Sequence, residues 1–238
     1  MRRTSLLLSA ILTAATSGAA CAGNLIVNPG AEADVGSDDG SVVSVTGWTT
    51  VGKFTVVRYG ASGGTDSTSG FPRPRSPGPD ERGRNFFAGG PNNQSSGAYQ
   101  YIDVSGYSAA IDEGQVSFDL SGYLGGFSSQ RDAARLTATF LGDAGAVLGS
   151  SSIGPVTAND RDDVTGLLFR EAAGYVPIGT IQVRIDLEMR RRDGSYNDGY
   201  ADDLSFRLNA VPEPAAALML GIGVGTCMLA ARRRRRRP

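Results

Sequence analysis

Residues 181–190 read Ile-Gln-Val-Arg-Ile-Asp-Leu-Glu-Met-Arg, an unbroken alternation of apolar and polar side chains. A period of two sets Ile181, Val183, Ile185, Leu187 and Met189 on one face of an extended chain and Gln182, Arg184, Asp186, Glu188 and Arg190 on the other. The segment predicts a strand with one buried face. The same period returns in Val116, Phe118 and Leu120, in Leu136, Ala138 and Phe140, and in Leu204, Phe206 and Leu208. Shorter candidates lie at 25–28, 54–59, 86–88, 98–104 and 167–170. Nowhere between residues 23 and 210 does a 3.6-residue period persist for three turns. Eight or nine short strands between Gly, Ser, Asp and Asn clusters predict an all-β fold, an antiparallel sandwich of the jelly-roll kind.

Composition removes several chemistries. The chain has no histidine, so a Ser-His-Asp triad, a Cys-His dyad and histidine zinc sites are excluded. Its two cysteines are Cys21 and Cys227, near the ends, which leaves the interval 23–210 without a disulfide. The 23 basic residues include Arg2, Arg3 and Arg232 to Arg237; removing these eight leaves 15 against 23 acidic residues between 23 and 210. A body eight charges negative argues against nucleic acid as a partner. Adjacent acids such as Asp112-Glu113 and Asp162-Asp163 point apart in a strand or turn and cannot flank a glycosidic bond. With no G-x-S-x-G elbow either, the expectation is a protein that is not an enzyme.

The ends read as addresses. Arg2 and Arg3, the apolar run from Leu6 to Ala15 and Ala20-Cys21-Ala22 form a secretory signal with an A-x-A site, so residues 1–22 are expected to be removed as a signal peptide. At the other end, 17 residues without a charge, 215–231, predict a transmembrane helix near the shortest length that spans a bilayer. Arginines 232–237 then place the C-terminus inside and the body outside. Val211, Pro212, Glu213 and Pro214 stand directly before the span. This order of motif, apolar helix and arginine cluster resembles the PEP-CTERM sorting signal of Gram-negative bacteria. The resemblance covers 211–238 and implies an exosortase as partner, export across the inner membrane, and a place at the cell surface or in an exopolysaccharide or biofilm matrix.

Parity singles out one acid in the body. Asp202 lies an even number of positions from Leu204, Phe206 and Leu208, so a strand beginning that early turns its carboxylate to the buried side. An ionised carboxylate there costs several kcal/mol unless it is paired or binds a cation. Asp193, Asn197, Asp198 and Asp203 supply oxygen donors nearby, a set suited to calcium, although 193–199 lacks EF-hand spacing. Both edges of the body resemble a known family. Asn28-Pro29-Gly30-Ala31-Glu32 is similar to the N-x-G-F-E opening of galactose-binding-like jelly rolls, which include many carbohydrate-binding modules, with alanine in place of the aromatic. Residues 198–206 resemble their closing strand. The resemblance implies a structural calcium ion held by Glu32 and Asp202, with Asp203 as the alternative.

Carbohydrate-binding surfaces stack sugar faces on aromatic rings, and Tyr99, Tyr101 and Tyr123 are the candidates for binding an extracellular polysaccharide. Tyr99 and Tyr101 share a strand face; Trp48 is expected to fill the sandwich. Residues 62–84, with Pro72, Pro74, Pro77 and Pro79 interspersed by Arg73, Arg75, Arg82 and Arg84, are expected to form a long solvated loop.

Overall fold

The computed structural model describes residues 23–62 and 71–210. The expected signal peptide (1–22), the sorting motif, the apolar span and the arginine cluster (211–238) lie outside the described residues. Among the described residues no helix is long and apolar enough to cross a membrane.

Among the described residues ten strands form two five-stranded antiparallel sheets. In chain order they are β1 (Thr49–Val51), β2 (Thr55–Arg58), β3 (Asn85–Pro91), β4 (Ser95–Asp103), β5 (Val116–Gly126), β6 (Ala133–Leu141), β7 (Val147–Ile153), β8 (Gly166–Tyr175), β9 (Gln182–Arg190) and β10 (Tyr196–Ala210). One sheet runs β1-β4-β9-β6-β7 and the other β2-β3-β10-β5-β8. The fold is the expected jelly-roll sandwich.

Alternation builds the interface between the sheets. Val183, Ile185, Leu187 and Met189 of β9 are fully buried and meet Phe206, Leu208, Leu120 and Phe118 from the facing sheet in one continuous core. Each such side chain contributes roughly 1.5–3 kcal/mol by leaving water. Ile181 falls just before β9 and stays 37% exposed. Trp48 is buried edge-on to Phe87, as expected of a ring filling the sandwich.

Three expectations need correction. Residues 25–28 form no strand, because Asn24 caps β10 with its side chain instead: its Nδ2 donates to Leu204 O and its Oδ1 accepts from Phe206 N. The chain then turns away at Asn28 and Ala31, both at positive φ. Strands β1 and β7 carry no apolar alternation, since they are edge strands with mostly exposed side chains. The third concerns the proline-rich loop, whose described part is docked rather than solvated. Pro72 O accepts from Gly60 N, Pro77 O accepts from Leu167 N, and Phe71 is buried against Phe86, Tyr196 and Tyr200. This flap covers the outer side of the second sheet over a cluster that also includes Val57, Ala88 and Leu167.

Candidate functional site

Asp202 is buried, though not in the interior that strand parity indicates. Asp203 adopts a left-handed conformation (φ 47°), and the β10–β5 register slips between Asp202 and Ser205. This β-bulge switches the face of β10. Leu204, Phe206 and Leu208 point between the sheets, whereas Asp202 shares the outer side with Tyr200 and lies opposite Tyr123. There its carboxylate accepts the Tyr59 hydroxyl at 2.6 Å and the Asp203 N–H at 2.7 Å, and Arg82 lies over the Tyr59 ring. Burial pushes its pKa up to about 8, offset in part by those two hydrogen bonds and reinforced by the negative charges of Asp203 and Glu32.

Glu32 therefore reaches the same corner. Its Oε1 accepts the backbone N–H groups of Arg84 and Asn85, both at 2.8 Å, and its Oε2 faces Arg84 at 3.5 Å. Asp203 is exposed. The other acids of the segment do not join them: Asp193 pairs with Arg131, and Asp198 accepts the Tyr200 hydroxyl. Among the described residues no three acidic, histidine or cysteine side chains form a cluster able to hold a metal ion. Two carboxylates near one corner, that of Asp202 desolvated and, among the described residues, without an ion pair, match calcium by donor type. Further ligands would have to come from main-chain carbonyls.

The candidate tyrosines do not come together. Tyr99 and Tyr101 lie on the open side of β4, their ring centroids 5.8 Å apart and nearly perpendicular. In register across the ladder stand Asp186 beside Tyr99 and Arg184 beside Tyr101. The Arg184 guanidinium lies 4.4 Å from the Tyr99 ring centre and pairs with Asp186 at 2.7 Å. Burial pushes the pKa of Asp186 above the usual carboxylate range, and Arg184 opposes that. Tyr101 is 51% exposed. A hollow of about 160 Å³ opens here between Val51, Tyr99, Arg184 and Glu188. Tyr123 belongs to the opposite sheet, packed on Phe169 and the flap cluster.

Sequence reading missed a second buried polar group where the β5–β6 and β9–β10 connections meet. Asp132 is fully buried and accepts the N–H groups of Arg192, Asp193 and Asp198. Asp198 is pushed up to about 7 by burial; the Tyr200 hydrogen bond lowers it, Asp132 raises it, and Arg161 lowers it again. Arg161, itself buried, donates to Ser128 O, Val164 O and Gln130 O. In the sequence these residues look like ordinary turn charges, because their partners are main-chain groups.

The two sheets and their antiparallel order define a β-sandwich protein. No family model matches the sequence, and no curated protein matches it. Among solved structures, a cyclase from Fischerella sp. TAU in complex with 4-(1H-indol-3-yl)butan-2-one is similar over 81% of this chain and 100% of that one, at 14% identity and a TM-score of 0.51. A family 16 carbohydrate-binding module is matched over 77% of this chain and 99% of its own, at 14% identity and a TM-score of 0.43. The match to the enzymatically active domain of bacteriophage CBA120 tailspike protein 4 has 17% identity and a TM-score of 0.44; it covers 77% of this chain but spans only 21% of the tailspike. Structural neighbours thus include carbohydrate-binding modules and enzymes. At such identities the likeness speaks to the fold alone.

Proposed function

We propose that the chain is an exported surface or exopolysaccharide-matrix protein whose sandwich binds glycan without catalysis. The observation that carries this reading is the pair of exposed Tyr101 and half-buried Tyr99, with Arg184 beside them, on the open face of the β4–β9 ladder. Adjacent rings offer apolar faces to pyranose units, and the flanking Arg184 and Asp186 offer donors and acceptors for hydroxyls. Affinity electrophoresis of the full-length chain in mild detergent against the producing cell's polysaccharide tests it. Retardation is expected, and Tyr101→Ala is expected to weaken it about tenfold, a loss on the order of 1.4 kcal/mol. Unchanged mobility of the wild-type chain would leave a purely structural surface protein.

The sequence resemblance at 211–238 supports sorting by an exosortase after membrane tethering. Co-expression with an exosortase should yield a mature protein whose mass ends before residue 215; an intact tail would sink this reading.

At the opposite corner, Glu32 and Asp202 would hold a calcium ion of structural use. Calcium there would supply the positive charge that the desolvated Asp202 lacks, while Tyr59 and the Glu32-bound turn at Arg84 and Asn85 keep the two carboxylates oriented. Chelation is expected to lower the melting temperature by several degrees through lost ligand linkage. Asp202→Ala should remove that sensitivity; equal melting with and without chelator would count against calcium.

A further inference from the structure

The same open face carries a second hollow beyond the tyrosines. Along β9 the outward side chains run Arg184, Asp186, Glu188 and Arg190, and at the Arg190 end a hollow of about 370 Å³ opens, lined by Arg131, Arg135, Arg190, Arg192, Glu188 and Pro155 among others. The sequence explains its shape. Ala133 of β6 stands opposite Arg190 in register and offers only a methyl group, while Arg135, two places on, stands opposite Glu188. Small between large on one sheet face leaves a depression walled by guanidinium groups.

The charge at this hollow runs against the rest of the body. Four of its 15 basic residues line one depression in a domain eight charges negative. Internal neutralisation is partial. Arg131 is held by Asp193 at 2.9 Å, Arg190 lies 3.9 Å from Glu188, and Arg135 reaches Ser152 Oγ at 3.5 Å. Among the described residues Arg192 has no ion pair and no side-chain hydrogen bond. Converging like charges repel unless an anion joins them. Guanidinium forks match the paired oxygens of carboxylate and sulfate groups.

We propose that this hollow receives the anionic substituent of an acidic polysaccharide, whose chain continues along β9 to the rings of Tyr99 and Tyr101. The inference rests on the reading of this face as a glycan surface and narrows the ligand to acidic sugars. The carboxylate of a uronic acid and a sulfate ester share the required chemistry.

The test is affinity electrophoresis of the full-length chain in mild detergent with four polymers: alginate for carboxylate, dextran sulfate for sulfate, neutral xylan, and double-stranded DNA as a non-saccharide polyanion. The variants are the double Arg135→Gln/Arg192→Gln, both positions being exposed, and Tyr101→Ala. At least one acidic polysaccharide is expected to retard the wild-type chain more than xylan does. The double glutamine variant should lose about tenfold in that affinity while its melting temperature stays unchanged. Added salt should weaken wild-type binding more steeply than that of the variant. Tyr101→Ala should weaken binding to acidic and neutral polymers alike. Equal binding of xylan and acidic polymers, indifferent to the arginines but lost in Tyr101→Ala, would overturn this inference and keep the glycan surface. Binding of none of the polysaccharides would overturn both. Equal retardation by DNA through the same arginines would also overturn it, leaving a general polyanion surface.

Discussion

Asp132→Ala is expected to lower the stability of the sandwich by roughly 3–5 kcal/mol, enough to unfold many domains of this size. The carboxylate is fully buried, and its two oxygens accept three backbone N–H groups, from Arg192, Asp193 and Asp198. Charge-assisted bonds of this type contribute on the order of 1.5–3 kcal/mol each, and leaving a buried donor unpaired costs about as much again. Without Asp132 the β9–β10 turn loses the group that closes it. Asp132→Asn separates charge from shape. The amide oxygen can still accept from Arg192 and Asp193, but the amide nitrogen then faces the Asp198 N–H, donor against donor, so an intermediate loss is expected. Urea unfolding of the three proteins measures both steps; a loss below 1 kcal/mol in the alanine variant would show that water replaces the carboxylate at no great cost.

The second large effect is a decline in stability as pH rises. Asp198 keeps its proton up to about 7 in the folded chain because burial disfavours its anion, despite the Tyr200 hydroxyl and Arg161. Unfolded, the same carboxyl releases its proton near pH 4. Between those values the folded state binds more protons than the unfolded one, so the stability from this group is complete below about pH 4 and is lost as pH rises through about 7. The slope approaches about 1.4 kcal/mol per pH unit. Melting temperature should therefore fall steadily from pH 5 to pH 7.5. Asp198→Asn, which stays neutral and can accept from the Tyr200 hydroxyl, should make the profile distinctly shallower, the remaining fall coming from Asp202, which burial pushes up to about 8. A variant as pH-sensitive as the wild type would assign the dependence to other groups.

Alternation made the architecture legible where strands bury one face. The period of two in β9, β5, β6 and β10 reports the inter-sheet core directly, because Val183, Leu120, Leu136 and Phe206 have no other way to leave water together. Edge strands escape this logic. Val147 and Leu148 of β7 remain 68% and 41% exposed, so Leu148-Gly149-Ser150-Ser151 carries no pattern. Asp202 is a more instructive case. Parity led to a buried acid, yet the bulge at Asp203 moves that acid to the other side of the sheet, where the Tyr59 hydroxyl meets it. A single left-handed residue, which sequence does not announce, thus reverses the face without changing the burial. The arginine hollow is invisible for a related reason. Arg131 and Arg135 lie on β6 and its approach, Arg190 and Arg192 on β9 and its exit, and only the β6–β9 register brings them around Ala133.

Strand β10 has a consequence for the order of assembly. Among the described residues it is the last strand in sequence, yet it sits in the middle of its sheet, bonded to β3 on one side and β5 on the other. Asn24 and Leu25, at the start of the body, also bond to it. As the chain is synthesised from its amino terminus, β3 and β5 wait for a shared neighbour until residues 196–210 have emerged, and the opening segment waits with them. Closure of this sheet is thus deferred to the final stretch of the body.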